Sequence, residues 1–95
     1  QATHSLELVA RGQGHRYKFT LRTEKAFQVF YESDFLAEAS WKSYRFKLEE
    51  FKSTYRGRFV QAPNLSFHDV SEFGILIADK QEGDFRLQIR TLTAL

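Results

Sequence analysis

The amino-acid sequence predicts an all-β sandwich of five or six strands in a single domain, residues 1–95. Apolar and polar residues alternate in several separate runs, and aromatic residues make up 16% of the 95-residue chain, ten of them Phe. Alternation with a period of two puts every second side chain on one face of a strand. Aromatic residues are also favoured on such half-buried surfaces. With 42% hydrophobic and 27% charged residues, the composition is typical of a globular protein.

The predicted strands are separated by turns and loops along the chain. The strand-like runs are, in order, Ser5–Ala10, His15–Thr23, Phe27–Phe35, Trp41–Leu48, Phe73–Ala78 and Phe85–Leu92. Glycines mark a turn at Arg11–Gly14, and Leu36–Ser40 is predicted to be a loop. Glu49–Asn64 is long and irregular, and Ser66–Asp69 has the spacing of a capping box, which predicts one helical turn.

The inward positions of these runs predict the hydrophobic core. Residues two apart on a strand share a face, so each run contributes its alternate apolar side chains. The predicted core is Tyr17, Phe19, Leu21, Tyr44, Phe46, Ile75, Ile77, Leu87 and Ile89.

The C-terminal third of the chain predicts a β-hairpin. Phe73–Ala78 and Phe85–Leu92 flank a polar link, Asp79–Asp84, that contains Gly83. Oxygen atoms of the link carboxylates Asp79, Glu82 and Asp84 could bind calcium. Solvated turn carboxylates are the favoured interpretation, because the link departs from an EF-hand pattern.

Several classes of function are disfavoured by composition. The chain has no Cys, which excludes disulfides and thiolate metal sites. The three histidines lack metal-ligand spacing, no apolar run is long enough to cross a bilayer, and the net charge is only +2. Five basic residues on outward strand positions could form a strip for single-stranded nucleic acid: Arg16, Lys18, Arg22, Arg45 and Lys47. The aromatic residues between them are expected to face the core, so a solvated charged face is favoured over nucleic-acid binding.

No catalytic constellation is present in the sequence. We find no Ser–His–Asp order, no paired carboxylates and no glycine-rich phosphate loop, and therefore expect no enzymatic activity and no cofactor. Ligand or partner contacts are predicted at Trp41, Tyr55, Arg56 and Arg58. Arginine pairs bidentately with carboxylates, and Trp and Tyr stack on sugars or anchor protein interfaces.

Ordered motifs over residues 6–92 resemble the complex I intermediate-associated protein 30 family. Phe73–Ile89 is similar to the family pattern G-F-x-I-A-D-K-Q-x-G-P-F-x-L-x-I, and Leu6–Arg22 to L-x-V-R-G-D-G-R-x-Y-x-F-x-L-R. Phe30–Phe35 followed by Trp41 resembles Y-x-A-x-F…W, and Tyr55–Arg58 resembles F-R-G-R. The resemblance implies a galactose-binding-like jelly-roll β-sandwich. In mitochondria, members of the family act as non-catalytic assembly chaperones for respiratory complex I.

The resemblance also implies a shortened fold and leaves two functions open. Family domains begin with an Asp-x-Val-Met-Gly-Gly-like segment that does not precede Gln1, so we expect the chain to correspond to the C-terminal two-thirds of such a domain. Such a jelly roll would leave strand edges and an apolar face uncovered. We therefore expect a homodimer, or completion by another chain. The first function is an interaction domain of the assembly-factor type; the alternative is a carbohydrate-binding module.

Overall fold

The computed structural model describes residues 3–26, 28–78 and 86–95, and they form two antiparallel β-sheets. In chain order the strands are β1 (Ser5–Arg11), β2 (His15–Thr23), β3 (Phe30–Ala37), β4 (Lys42–Lys47), β5 (Lys52–Tyr55), β6 (Arg58–Phe59), β7 (Val70–Ile77) and β8 (Gln88–Ala94). Two 3₁₀ turns, Leu48–Glu50 and Phe67–Asp69, lie between strands. The second is the helical turn predicted near Ser66. The predicted all-β sandwich is confirmed.

The larger sheet has the strand order β6-β5-β3-β2-β7, and the smaller sheet has the order β4-β1-β8. β2 lies between β3 and β7 in the larger sheet, where Tyr17, Phe19 and Leu21 face inward and are buried. β1 is central in the smaller sheet, with Leu6 and Leu8 buried against them. The alternating pattern of these two strands therefore builds the middle of the core.

Aromatic rings join the two sheets. Phe19 of β2 and Phe46 of β4 have ring centroids 4.9 Å apart, and Phe46 also meets Phe35 of β3 edge-on at 5.7 Å. Tilted and edge-on arrangements at such distances are favourable for aromatic pairs. The prediction that Tyr17, Phe19, Leu21 and Phe46 are buried is confirmed. Of the other predicted core residues, Tyr44, Ile75 and Leu87 are partly buried against the same cluster.

The predicted C-terminal β-hairpin is wrong. β7 pairs with β2 in the larger sheet, whereas β8 pairs with β1 in the smaller one. The segment between them connects two sheets instead of turning within one. Each strand finds a partner from far earlier in the chain, and such tertiary pairing outweighs the local hairpin signal. The calcium alternative at Asp79–Asp84 lies outside the described residues.

Two predicted core residues, Ile77 and Ile89, are exposed by 38% and 49%. Both lie on outermost strands. Alternation there predicts which way a side chain faces, but it does not predict whether a second layer covers that side chain.

Two loop assignments also differ from the structure. The stretch Glu49–Asn64 holds the short strands β5 and β6, and β3 continues through Leu36 to Ala37. Strands of four and two residues are too short to show a period, so the sequence pattern missed them. With these two, the described strands number eight, where five or six were predicted.

Candidate functional site

Trp41 lies at one end of the smaller sheet between two arginine side chains. The guanidinium carbon of Arg11 is 4.9 Å from the centre of the Trp41 ring, and that of Arg90 is 4.3 Å from it. Arg11 also donates a hydrogen bond from Nε to Oε1 of Gln88. Both distances are within the range of attractive cation–π contacts. We name Arg11, Trp41 and Arg90 the arginine–tryptophan cluster.

The register of the smaller sheet explains why these three residues meet. Ala10 of β1 is opposite Lys42 of β4, so Trp41 comes beside Arg11. On the other side of β1 the register shifts: Val9 is opposite Thr91, but Ala10 is opposite Ile89. Arg90 is thus the extra residue of a β-bulge, and bulges commonly redirect a side chain. The bulge brings Arg90 to the outward face that carries Trp41.

The two arginines of the cluster are not among the described basic side chains that form ion pairs. The ion pairs within the described residues are Lys18–Glu32, Arg22–Glu72, Lys25–Asp69, Lys42–Glu38 and Arg45–Glu7, with N–O distances of 2.8–3.5 Å. Within the ranges 3–26, 28–78 and 86–95, no carboxylate forms an ion pair with Arg11 or Arg90. The predicted basic strip is not formed either, because Lys18 and Arg45 lie in different sheets and each pairs with a glutamate.

Tyr55, Arg56 and Arg58 form a second, separate group at the turn between β5 and β6. Arg56 and Gly57 both have positive φ angles, 51° and 79°, which is the conformation of a tight two-residue hairpin turn. The guanidinium carbon of Arg56 lies 5.2 Å from the centre of the Tyr55 ring. Thr54 is opposite Phe30, so this turn lies near the start of β3.

The predicted contact residues therefore do not form one site. Trp41 follows the far end of β3, and an eight-residue strand spans roughly 25 Å. The partners of Trp41 were missed by sequence reasoning, because only the bulge in β8 brings Arg90 to it. No pattern in the sequence marks that bulge.

A third feature is an uncovered side of the sandwich. In the β2–β7 register, Phe73 and Ile77 are opposite buried Leu21 and Tyr17, so both face inward. They are nevertheless exposed by 49% and 38%. Ile89 and Leu92 of β8, opposite buried Ala10 and Leu8, face inward and are exposed by 49% and 38%. We name these four residues, Phe73, Ile77, Ile89 and Leu92, the open side.

A cleft of about 830 Å³ lies between the start of β1 and the segment 62–66. The Tyr31 hydroxyl donates a hydrogen bond to the Pro63 carbonyl at 2.8 Å, and Ser53 Oγ donates one to the Val60 carbonyl at 2.6 Å. Burial, reinforced by the charge of Asp69, raises the pKa of Tyr31 above its usual value. The aromatic rings lining the cleft belong to Tyr31 and Phe51, exposed by 4% and 9%. Neither described ring is open for a sugar to stack on.

The described ranges contain neither a metal-ligand cluster nor a membrane-spanning helix. Among the residues that the structure describes, no three His, Asp or Glu side chains come together as a metal site. No helix in that part of the chain is long and apolar enough to span a membrane.

Comparison with known proteins identifies the family. The model of the family "Complex I intermediate-associated protein 30 (CIA30)" matches residues 1–89. The chain is also 28% identical to the uncharacterised protein C9E9.15 of Schizosaccharomyces pombe, over 92% of this chain. It spans about half, 46%, of the length of that relative. Since the family model covers nearly all of the chain, the chain belongs to the complex I intermediate-associated protein 30 family.

Proposed function

We propose that the chain is a non-catalytic protein-binding domain of the assembly-factor type, and that a second copy of the chain docks on its open side. The family is associated with assembly of respiratory complex I rather than with catalysis, which supports the first part. The observation that carries the second part is the exposure of Phe73, Ile77, Ile89 and Leu92 on inward sheet faces.

The strand order makes the open side self-complementary. Among the described strands, β7 and β8 are the outermost of their sheets, and no described strand pairs with their outer backbone edges. A two-fold axis normal to the sheets would pair β7 with β7 and β8 with β8 of the second copy, both antiparallel. This single two-fold rotation would provide hydrogen-bond partners for the backbone edges of both strands. Strand edges without such partners are templates for association.

The size of the surface is compatible with this arrangement. Four side chains of roughly 200 Å² each, exposed by 38–49%, present roughly 350 Å² of apolar surface. A stable interface buries roughly 800 Å² on each partner. Two strand edges of eight and seven residues and their polar rims can supply the remainder.

Adjacent residues of β7 provide a matched test by sedimentation equilibrium. Ile77 belongs to the open side, and Leu76, exposed by 48%, is opposite Lys18 on the outward face of the same strand. We expect the unmodified chain and the Leu76→Lys variant to be dimers at micromolar concentration. Ile77→Lys should be monomeric, because it places a charge in the apolar interface. A monomeric unmodified chain, or equal dissociation by both variants, would disprove docking of a second copy.

The carbohydrate-binding alternative has a direct test on a glycan array. Trp41 and Tyr55 are the described half-buried rings predicted to contact ligands. Two guanidinium groups already lie against Trp41, and that of Arg56 lies against Tyr55. We expect no specific glycan to bind. A specific glycan hit that Trp41→Ala abolishes would replace the protein-binding proposal. The correspondence of this chain to the C-terminal two-thirds of a family domain stays a prediction.

A further inference from the structure

We propose that the arginine–tryptophan cluster binds a carboxylate of an acidic peptide segment carried by a protein partner. This inference rests on the proposed protein-binding function and assigns a second, polar contact to it. The cluster lies on the outward face of the smaller sheet, away from the inward residues of the open side.

The first argument is the unbalanced charge. Two guanidinium groups contact one indole ring, with their carbons 4.9 Å and 4.3 Å from its centre. Two like charges, which repel each other, are therefore concentrated around Trp41. Elsewhere on the same face, Arg45 is 3.4 Å from Glu7, whereas the described residues provide no carboxylate for the cluster. An external carboxylate would relieve the repulsion.

The second argument is the presentation of hydrogen-bond donors. The Arg11 side chain is restrained by its contacts with Trp41 and Gln88, which reduces the entropy lost when a ligand binds. Its guanidinium has further N–H donors besides the Nε that bonds Gln88. Arginine donors of this kind recognise carboxylates through two parallel hydrogen bonds.

The third argument is a small hollow beside the cluster. It has a volume of about 190 Å³ and is lined by Arg11, Arg86 and Gln88, among others. Arg86 is exposed there and adds a third positive charge. The hollow has room for the end of one Asp or Glu side chain, and it is too small for a folded partner.

A peptide is favoured over nucleic acid by the shape and composition of the surface. Proteins that bind single strands combine a long basic track with rings on which bases stack. Here the positive charge is confined to one end of the sheet, since Glu7 neutralises Arg45 further along. The Trp41 ring is already in contact with two guanidinium groups. A short acidic segment matches this surface better.

The experiment measures fluorescence anisotropy of a labelled peptide of alternating Glu and Gly, with a Gln–Gly peptide as its neutral counterpart. We expect the Glu peptide to bind at least about tenfold more tightly, since charged hydrogen bonds contribute roughly that much. Arg11→Gln and Arg90→Gln should each weaken binding of the Glu peptide about tenfold. Arg90→Lys should lose most of this affinity too, because lysine keeps the charge but not the fork of donors.

Arg45→Gln is the matched control, because it removes the same charge from the same sheet face and Arg45 already has a partner. It should change the affinity by less than about twofold. Equal weakening by Arg45→Gln and Arg90→Gln would overturn the proposal, since binding would then depend on net charge alone. Failure of the Glu peptide to bind, or tighter binding of oligo(dT), would overturn it as well. Thermal unfolding of each variant verifies that the fold is intact.

The peptide-binding test and the sedimentation test of the open side have distinguishable outcomes. Loss of peptide binding with an intact dimer would disprove the carboxylate site alone. A monomeric chain that still binds the Glu peptide would disprove the docked second copy alone.

Discussion

Phe19 of β2 and Phe46 of β4 face each other across the sandwich, with ring centroids 4.9 Å apart and exposures of 2% and 4%. Each ring belongs to a different sheet, so the pair joins the two layers directly. Phe51, from the connection after β4, packs against both rings at 6.0 and 6.1 Å.

Replacing Phe19 or Phe46 by Ala should lower the free energy of unfolding by roughly 3–5 kcal/mol, because a large cavity forms between the sheets. Urea unfolding measures this loss. Phe59→Ala is the control, since Phe59 is 74% exposed and its removal should cost no more than about 0.5 kcal/mol. Similar unfolding midpoints for all three variants would contradict this description of the core.

Two buried tyrosines should respond oppositely to loss of the hydroxyl. The Tyr17 hydroxyl is buried without a hydrogen-bond partner among the described residues, whereas Tyr31 donates to the Pro63 carbonyl at 2.8 Å. Tyr17→Phe should leave stability unchanged or raise it by about 1 kcal/mol, and Tyr31→Phe should lower it by about 1 kcal/mol. Chemical unfolding of the two variants in parallel measures the difference. A larger loss for Tyr17→Phe than for Tyr31→Phe would show that the assignment of partners is wrong.

The same two residues predict loss of stability in alkali. Burial raises the pKa of Tyr17 and of Tyr31 above the ordinary value of 10.0. As the pH rises past 10, the unfolded chain releases these protons before the folded chain does. The unfolded chain then binds fewer protons than the folded chain, so the free energy of unfolding falls as the pH rises.

Unfolding measured on both sides of that pH should therefore show a shallower decline for Tyr17→Phe than for the unmodified chain. Identical declines would mean that the Tyr17 hydroxyl does not titrate abnormally.

The turn between β5 and β6 predicts a stabilising substitution at a candidate contact residue. Arg56 has a φ of 51°, a conformation that Asn adopts more easily than Arg. Arg56→Asn should therefore raise the free energy of unfolding by about 0.5 kcal/mol, whereas Gly57→Ala, at φ 79°, should lower it by about 1 kcal/mol. Thermal unfolding of both variants is the measurement. A destabilised Arg56→Asn would show that the Arg56 side chain, stacked on Tyr55, contributes more than the strain costs.

Alternation in the sequence predicted the facing direction of side chains better than it predicted strand partners. Tyr17, Phe19 and Leu21 are buried as expected, because β2 lies between β3 and β7 and packs against the smaller sheet. Ile77 and Ile89 face inward as their pattern requires, but they remain exposed because no described strand lies beyond β7 or β8. Coverage depends on tertiary arrangement, which no local pattern encodes.

The candidate site was predictable only in part for the same reason. Trp41 was chosen for its chemistry, and the structure places it beside cations. Its neighbours come from strands that are distant in sequence, and the position of Arg90 depends on a register shift between β1 and β8. Hydrophobic periodicity carries no information about a single extra residue in an edge strand.

The pairing of β1 with β8 has a consequence for the way the chain reaches its structure. Leu6 is opposite Ala94, and the His4 amide donates a hydrogen bond to the Leu95 carbonyl at 3.1 Å. The smaller sheet is therefore complete only when the two ends of the sequence meet, a contact of very high sequence separation. Loop closure must precede any gain from such contacts, so we expect folding on the millisecond-to-second timescale of high-contact-order β proteins. During synthesis, β1 remains without one of its two neighbours until β8 emerges, and Leu6 and Leu8 are only partly covered until then.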